Sequence, residues 1–592
     1  MSTLNYEVDG KKREPADVAK EFLTARGLLK KQTRDGPRAN IRTRVVMRSG
    51  KSEATTIFRM LRRFTRMTNR RAESTGEPGV ACPPRWIARS CRAWGTKRPL
   101  NDLALLVLIG SALVAGSWQI ARWSFVPHHS AAFGAIFVAE LALYAAASAW
   151  VIRRCPPVRP TIVVIFVIAA AVRLLLVPAA PTVSDDIYRY VWDGRIQSAG
   201  INPYAYPPDA PELARFRDDA IYPGINRKPV RTIYPPVAEV FFRAVSIVFP
   251  NSVRGMKLTL TICDLLTCAV LAMLLRVVGA RPERVILYAW HPLLALEVAH
   301  SGHLDALAVL LVALALWARL SGRFGRAGAL LAGAALVKFY ALVALPALLV
   351  RARRPLATLL GTLCGAIALA YLPFLAVGSH VLGYLGGYVA EEGIASGTRY
   401  YLLKQFFWAV RHLTNNTNGD IPAAATNAYQ VGIVGVMAAI ALWCVAVPPR
   451  SAQEIADRIA LLFVVLLALA SPVQPWYMLL LLGTLPLVGR RILLPASLVV
   501  GSAGLVYLTW WLPGSPAWPI ATNYDLRAVA VAILLVGAVR RWLIGRQGAK
   551  EPAIHTTADR SSAVPLPHTR HAASGSDADS SRAQRAPSAT ET

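Results

Sequence analysis

Long apolar runs alternate along this chain with two kinds of connection, one rich in Arg and Lys, the other polar and aromatic. The runs fall near residues 102–120, 132–151, 161–179, 256–277, 285–299, 304–318, 355–376, 428–447, 459–472, 477–488, 492–511 and 526–543. Most approach the roughly 20 residues a helix needs to cross a bilayer. The pattern predicts an all-α polytopic membrane protein with about 12–14 crossings. Residues 327–350 need separate treatment, being apolar yet flanked by Arg323 and Arg326 before and Arg351, Arg353 and Arg354 after. A broken pair of short helices turning near Lys338 keeps both basic flanks on one side and sets that lysine deep in the membrane domain. Residues 236–250 read as an interfacial helix leading into the next span.

Charge gives the map a direction. With the N-terminus inside, the connections at 153–159, 276–284, 319–326, 351–354, 448–458, 490–491 and 540–550 all carry Lys/Arg, in excess of acids in all but 448–458, where the two balance. Cytoplasmic connections are the ones that carry such an excess. The outer connections are then 121–131, 180–255, 300–303, 377–427, 473–476 and 512–525. They hold the polar and aromatic motifs, so an active site is expected on the extracytoplasmic face of the inner membrane, with both termini cytoplasmic.

Composition sharpens the class. Hydrophobic residues make up 54% and the mean hydropathy is +0.40, which excludes an ordinary soluble enzyme. The net charge of +31 is uneven: residues 1–100 hold 24 Lys/Arg and 9 Asp/Glu, about half the excess. Because this basic segment precedes the first span, it reads as an orienting, lipid-facing stretch rather than a nucleic-acid site. It has no short apolar core followed by small residues, as a cleavable signal would. Three regions are expected: a disordered basic segment 1–100, a membrane domain 101–545 and a disordered tail 546–592. The seven cysteines lack metal-type spacing, and neither disulfides nor thiolate metal sites are expected.

The chemistry-bearing residues concentrate in the outer connections. Ser184-Asp-Asp-Ile-Tyr-Arg-Tyr-Val-Trp-Asp-Gly-Arg195 reads as a helix capped by Ser184, with Asp185 and Asp186 in its first turn. Helical spacing sets Asp186, Arg189, Tyr190 and Asp193 on one face. The bland reading is a capped surface helix with internal ion pairs. The functional reading makes one aspartate a general base toward an acceptor hydroxyl, while Arg189 and Arg195 hold an anionic donor. Trp192, Asn202, Tyr204 and Tyr234 line the same excursion, where the Asn-Pro-Tyr and Tyr-Pro-Pro turns shape an aromatic wall or merely the loop. His300, His303 and Asp305 sit between two short spans. That spacing alone is weak evidence for a metal, so hydrogen bonds to substrate are the better functional reading and polar packing the bland one. No metal or cofactor is assigned, a divalent ion being the one alternative left open. Lys338 within an apolar segment needs a partner, either a phosphate or an acid such as Asp264. Arg399 closes a Gly- and Tyr-rich outer loop, 378–400, that reads as a flexible cover. Ser471-Pro-Val-Gln-Pro-Trp-Tyr477 breaks a helix at the same face, and its prolines are expected to leave carbonyls free for a ligand. Gln474, Trp476 and Tyr477 are its candidate contacts.

In their order these motifs resemble the polyprenyl-phosphate-sugar-dependent glycosyltransferases of the GT-C superfold, most closely the glycosyltransferase family 87 and bacterial α-mannosyltransferase group. Asp185 through Arg195 with Gly200-Ile-Asn-Pro-Tyr204 is similar to that group's first outer loop. Thr232-Ile-Tyr-Pro-Pro236, Gly302-His-Leu-Asp305, Lys338 and Ser471 through Tyr477 are similar to its later motifs. The resemblance covers about residues 100–545. It implies a GT-C-like bundle with a large first outer loop, transferring a hexose, usually mannose, from a polyprenyl-phosphate donor to a glycolipid or glycan hydroxyl. The family's catalytic acid falls on Asp185 or Asp186, with Asp186 preferred. Gln474 stands where family patterns often have His, so no proton transfer is implied there. The competing reading is a transporter or flippase of a lipid-linked sugar. It would favour an inverted repeat, and none is evident. The same fold also admits another sugar, such as an aminoarabinose placed on lipid A.

Overall fold

The computed structural model describes residues 7–8, 11–12, 99–123, 130–414, 421–511 and 518–548. The disorder expected of the basic segment and the tail therefore falls almost wholly outside the described residues. Backbone contacts separate Met1–Val80 from Ala81–Thr592. In the first unit Glu7–Val8 pairs antiparallel with Lys11–Lys12.

The described elements of the second unit are all helical, joined by turns and extended connections. Helices α1 (Pro99–Ala121), α2 (Ser130–Arg154) and α3 (Val158–Leu176) lead into the first large excursion. That excursion carries α4 (Asp186–Ser198) and α5 (Pro236–Val248), and α6 (Val253–Val277) returns from it. Beyond a series of short turns lie α7 (Asp305–Leu320) and α8 (Phe324–Ala335), then α9 (Arg353–Tyr371). The second excursion holds α10 (Leu385–Glu391) and α11 (Tyr401–Thr414). Helices α12 (Ala423–Ala446), α13 (Ala452–Leu469), α14 (Arg490–Ala503), α15 (Leu505–Trp511) and α16 (Trp518–Gly548) complete the fold.

Among the described residues eight helices are long and apolar enough to cross a membrane, or nine if the bent pair Pro292–His300 and Asp305–Leu320 counts as one span. Of the remaining apolar segments of the sequence map, 459–472 falls largely within the continuous helix α13, and the others are built as shorter or interrupted helices. The bent pair turns by 118°. Residues 324–348 form α8, a break, and a short helical run over Phe339–Leu348. The turn comes at Lys338, as the flanking charges require. At its two ends, Arg319 Nε donates to the Leu348 carbonyl (2.8 Å), so α7 and this returning run finish at the same level.

The two ends of the bundle differ in charge. One end is tied by arginines to connecting carbonyls, Arg281 to Pro156 and Arg284 to Val488, each at 2.7 Å. The other gathers the acidic excursion and the aromatic turns. Cys155, in the connection between α2 and α3, is disulfide-bonded. This corrects the expectation of no disulfide; spacing along a chain carries no information about which distant thiol folds against it. Cys263, Cys268, Cys364 and Cys444 are free.

Inside the apolar core a charge is tolerated only beside its opposite. Arg173 of α3 is ion-paired with Asp264 of α6, both fully buried, and Tyr288 Oη donates to the same carboxylate at 2.6 Å. The expectation that Asp264 serves Lys338 is thus corrected: Asp264 is occupied by a nearer guanidinium. Asp264→Ala strands Arg173 and is expected to cost about 3–5 kcal/mol, read as a lower unfolding temperature in detergent. The joint change Arg173→Met with Asp264→Leu should restore most of it.

Candidate active site

The site grows from the N-terminus of α4. Asp185, rather than Ser184, occupies the cap position, and the Ser184 hydroxyl accepts the Asp186 amide at 3.4 Å. Asp185 has α-region backbone angles, so the chain enters the helix one residue later than the Ser-Asp-Asp pattern suggests. Two carboxylates side by side repel, and a single amide holds them. Asn226 Nδ2 donates to Asp185 Oδ1 at 2.7 Å and to Asp186 Oδ1 at 2.9 Å. Crowding by the loop and the Asp186 charge push the Asp185 carboxyl up, while the Asn226 hydrogen bond opposes them. Neither Asn226 nor its neighbour Arg227 was singled out by sequence, since no periodicity links residue 226 to residue 186.

The bent rod delivers the next groups. Its π-helical turn, Ala295–His300, ends at Gly302, whose φ is +81°. A Cβ at Gly302 would collide with Ile187 of α4. Only glycine admits both that backbone and that approach. His303 therefore lies against the acidic helix, fully buried, with Nε2 3.9 Å from Asp186 Oδ2. Its Nδ1 meets Glu297 Oε2 at 2.6 Å, and its ring stacks on Trp476 at 4.2 Å. Tyr507 donates to the other Glu297 oxygen. Glu297 carried a signal that sequence reading passed over: an acid within an otherwise apolar run.

Asp305, two residues on, opens α7. It accepts Tyr340 Oη at 2.8 Å and pairs with Lys338 Nζ at 3.1 Å. Lys338 thus reaches the site end from the turn between α8 and the returning run. The Tyr477 ring lies 5.6 Å from Tyr340 and beneath Arg399. From the second excursion, Tyr388 Oη shares a hydrogen bond of 2.5 Å with Tyr477 Oη. Arg399 pairs with Glu392 and donates to the Ala470 carbonyl at 2.9 Å. Arg227, 46% exposed, pairs with Glu391 at 2.6 Å. The cover is also anchored through Gly383, where φ is +56° and the Thr232 carbonyl fills the space of a Cβ.

Other candidates serve the scaffold. Arg189 is buried in an ion pair with Asp193 (2.9 Å) and donates to the Val230 carbonyl. Beside them burial and the Asp193 charge hold the Glu239 carboxyl well above the usual carboxylate range. Arg195, at the far end of α4, binds Asp218 (2.5 Å) and Asn251 (2.6 Å). Trp192 packs against Tyr222, and beneath the acidic turn Tyr190 stacks on Phe242 while Tyr234 meets both rings edge-on. Asn202 closes its own turn onto the Tyr204 amide, and Tyr204 Oη donates to the Tyr234 carbonyl at 2.6 Å. His300 is buried, with neither ring nitrogen hydrogen-bonded. Gln474 Oε1 is likewise buried without a hydrogen bond. The carbonyls expected to await a ligand in this motif are filled: Tyr524 Oη binds Ser471 (3.0 Å) and Arg527 binds Pro472 (2.8 Å). A buried carbonyl costs too much unpaired for α16 to leave it so. Among the described residues no group of three His, Cys, Asp or Glu is placed to hold a metal ion.

Asp185, Asp186, His303, Asp305, Lys338, Arg399, Trp476 and Tyr477 are thus gathered at one end of the bundle from separate parts of the chain. Residues 92–354, which supply five of these eight, match the family model of the alpha-(1->6)-mannopyranosyltransferase N-terminal domain. This stretch is similar to that mannosyltransferase family. The match takes in the acidic excursion, the bent rod and the Lys338 turn, and ends at the start of α9, before the cover. No curated protein matches the chain.

Asn226→Ala removes the hydrogen bond that favours the ionised acids, so the Asp185 carboxyl rises further. The acid limb of the transfer-rate profile is expected to move to higher pH, as read from initial rates across buffers.

Proposed function

We propose that the chain transfers mannose from a polyprenyl-phosphate donor to a hydroxyl of a glycolipid or glycan, with Asp186 as general base. The family supplies the sugar class; the observation that carries the chemistry is the pairing of Asp186 with a set of cations at one bundle end. Asp186 is partly exposed and lies beside the buried His303. Lys338, Arg399 and Arg227 converge on the same region from three segments. Of the four cations proposed from sequence, Arg189 and Arg195 are committed to scaffold ion pairs. Arg227 takes their place.

The reaction follows from these groups. The acceptor oxygen attacks the anomeric carbon as its proton passes to Asp186. The bond from that carbon to the phosphate oxygen breaks on the opposite face, which inverts configuration. Polyprenyl phosphate leaves as an anion whose developing charge Lys338 and Arg399 stabilise. Trp476 and Tyr477 offer ring faces to the sugar. Asp185 remains the second candidate base, held by the same amide. The arginine-rich end opposite the site supports a cytoplasmic placement of that end and an extracytoplasmic site in the inner membrane.

Purified protein in lipid nanodiscs is incubated with radiolabelled polyprenyl-phosphate-mannose and a membrane lipid extract. A labelled product is expected, and Asp186→Asn should lower its rate by about 10²–10⁴-fold. Lys338→Met should chiefly raise the donor KM. No product with any polyprenyl-phosphate sugar overturns the reading.

A further inference from the structure

Glu297 is an acid buried in the bent rod beside the site, and nothing in the reaction above uses it. Its surroundings are specific. The π-helical turn shifts it out of register with a regular helix, and such turns recur at functional sites. Its carbonyl accepts the His303 amide at 2.8 Å, and its carboxylate faces His303 Nδ1 at 2.6 Å. One residue therefore fixes both the backbone and the ring of His303. On the other side Trp476 covers the ring face. The ring has one edge left, Nε2, which is buried, makes no hydrogen bond and points to Asp186 Oδ2 across 3.9 Å.

That gap is too long for a direct hydrogen bond and suits an oxygen lying between the two atoms. We propose that Glu297 is a positioning residue that holds His303 as an imidazolium, so that Nε2–H and the Asp186 carboxylate together clamp the acceptor hydroxyl. The hydroxyl oxygen accepts from Nε2–H while its own proton points to Asp186. When the oxygen attacks, that proton passes to Asp186 and the imidazolium keeps its own. The inference rests on the transfer reading and adds to it the group that orients the nucleophile.

The charges around the ring agree with this assignment. Glu297 faces it from the π turn, Asp186 from α4 and Asp305 from α7, with the Asp305 charge shared by Lys338 and the Asp186 charge felt by Arg227. A carboxylate against a buried imidazole favours its protonated form. A neutral His303 with its proton on Nδ1 could still donate to Glu297, but only the imidazolium sets a positive charge beside that carboxylate in the apolar core, where Tyr507 is its other partner.

The test compares wild type, Glu297→Gln and Glu297→Asp. Glu297→Gln is expected to lower transfer by about 10- to 100-fold, as loss of an orienting carboxylate behind a histidine does. It should act more on kcat than on the donor KM and move the alkaline limb to lower pH, because His303 then gives up its proton sooner. Glu297→Asp keeps the charge and should return the limb toward wild type. A loss uniform across pH with an unmoved limb overturns the proposal and leaves Glu297 a packing residue. Histidine-selective ¹⁵N spectra, assigned with His303→Gln, decide the matter apart from activity. His303 protonated on both nitrogens at neutral pH in wild type is expected; a single proton there overturns the proposal even if Glu297→Gln fails to fold. Should wild type transfer no sugar at all, the transfer reading fails, and the spectra still report whether Glu297 holds the imidazolium.

Discussion

The close approach of Gly302 to Ile187 governs the rest of this structure. A left-handed residue ends the π turn, and the absence of a side chain lets the bent rod press against α4. His303 and Asp305 follow from that contact, because both lie within three residues of the bend. Each brings a need for an opposite charge, since ionised groups in an apolar domain are costly alone. Glu297 answers the first need and Lys338 the second. Lys338 reaches Asp305 only because residues 324–348 turn at that lysine. One glycine thus accounts for the Glu297–His303 contact, the Asp305–Lys338 ion pair and the path of a reversing helix pair.

Buried charge is handled differently in the scaffold and at the site. Arg173 with Asp264, and Arg189 with Asp193, are pairs shut away from solvent, each arginine keeping one buried Nη2 without a hydrogen bond. At the site end the pairs are open. Lys338 keeps 17% of its side-chain surface, Asp186 keeps 22%, and the buried Nε2 of His303 lacks a hydrogen bond. The cover adds pairs that are easier to separate, since Arg227 and Glu391 are partly exposed and solvent weakens their attraction. Helix α10 sits between left-handed glycines at 383 and 393, which let the chain turn sharply at both of its ends. A site whose ion pairs retain free valence toward one opening can receive a charged ligand without first breaking a closed pair.

How much of this the sequence disclosed depends on the distance over which each signal acts. Hydropathy and charge at the connections are local, and they located the helical class, the acidic excursion and the turn at Lys338. Helical spacing placed Asp186, Arg189 and Asp193 on one face, yet could not say what that face meets. The structure turns Arg189 and Asp193 inward against Thr232 and Glu239, leaving Asp186 at the edge. Partners from distant segments stayed hidden. Lys338 was matched to Asp264 because both lie in apolar runs, whereas Asp305 is the acid the bend brings near. Asn226 and Arg227 sit in an ordinary-looking loop, and only the fold carries them to Asp185, Asp186 and Glu391. The prolines at 472 and 475 marked a broken helix correctly, but α16 supplies Tyr524 and Arg527 to satisfy the carbonyls.

The same geometry bears on which of two adjacent aspartates suits proton transfer. Asn226 treats them alike, binding one oxygen of each at 2.7 and 2.9 Å. Their second oxygens differ. That of Asp186 faces His303, within a wall formed by Trp476 and the bent rod, whereas the Asp185 side chain lies at the exposed rim. A base must meet a hydroxyl whose position is fixed, and a fixed position requires a second contact on the oxygen. Only Asp186 has a neighbouring group able to make that contact at hydrogen-bonding reach of a shared oxygen. Under the proposed chemistry the two acids are therefore unequal by placement: Asp186 receives the proton beside a group that orients the hydroxyl, and Asp185 lies at the rim without one.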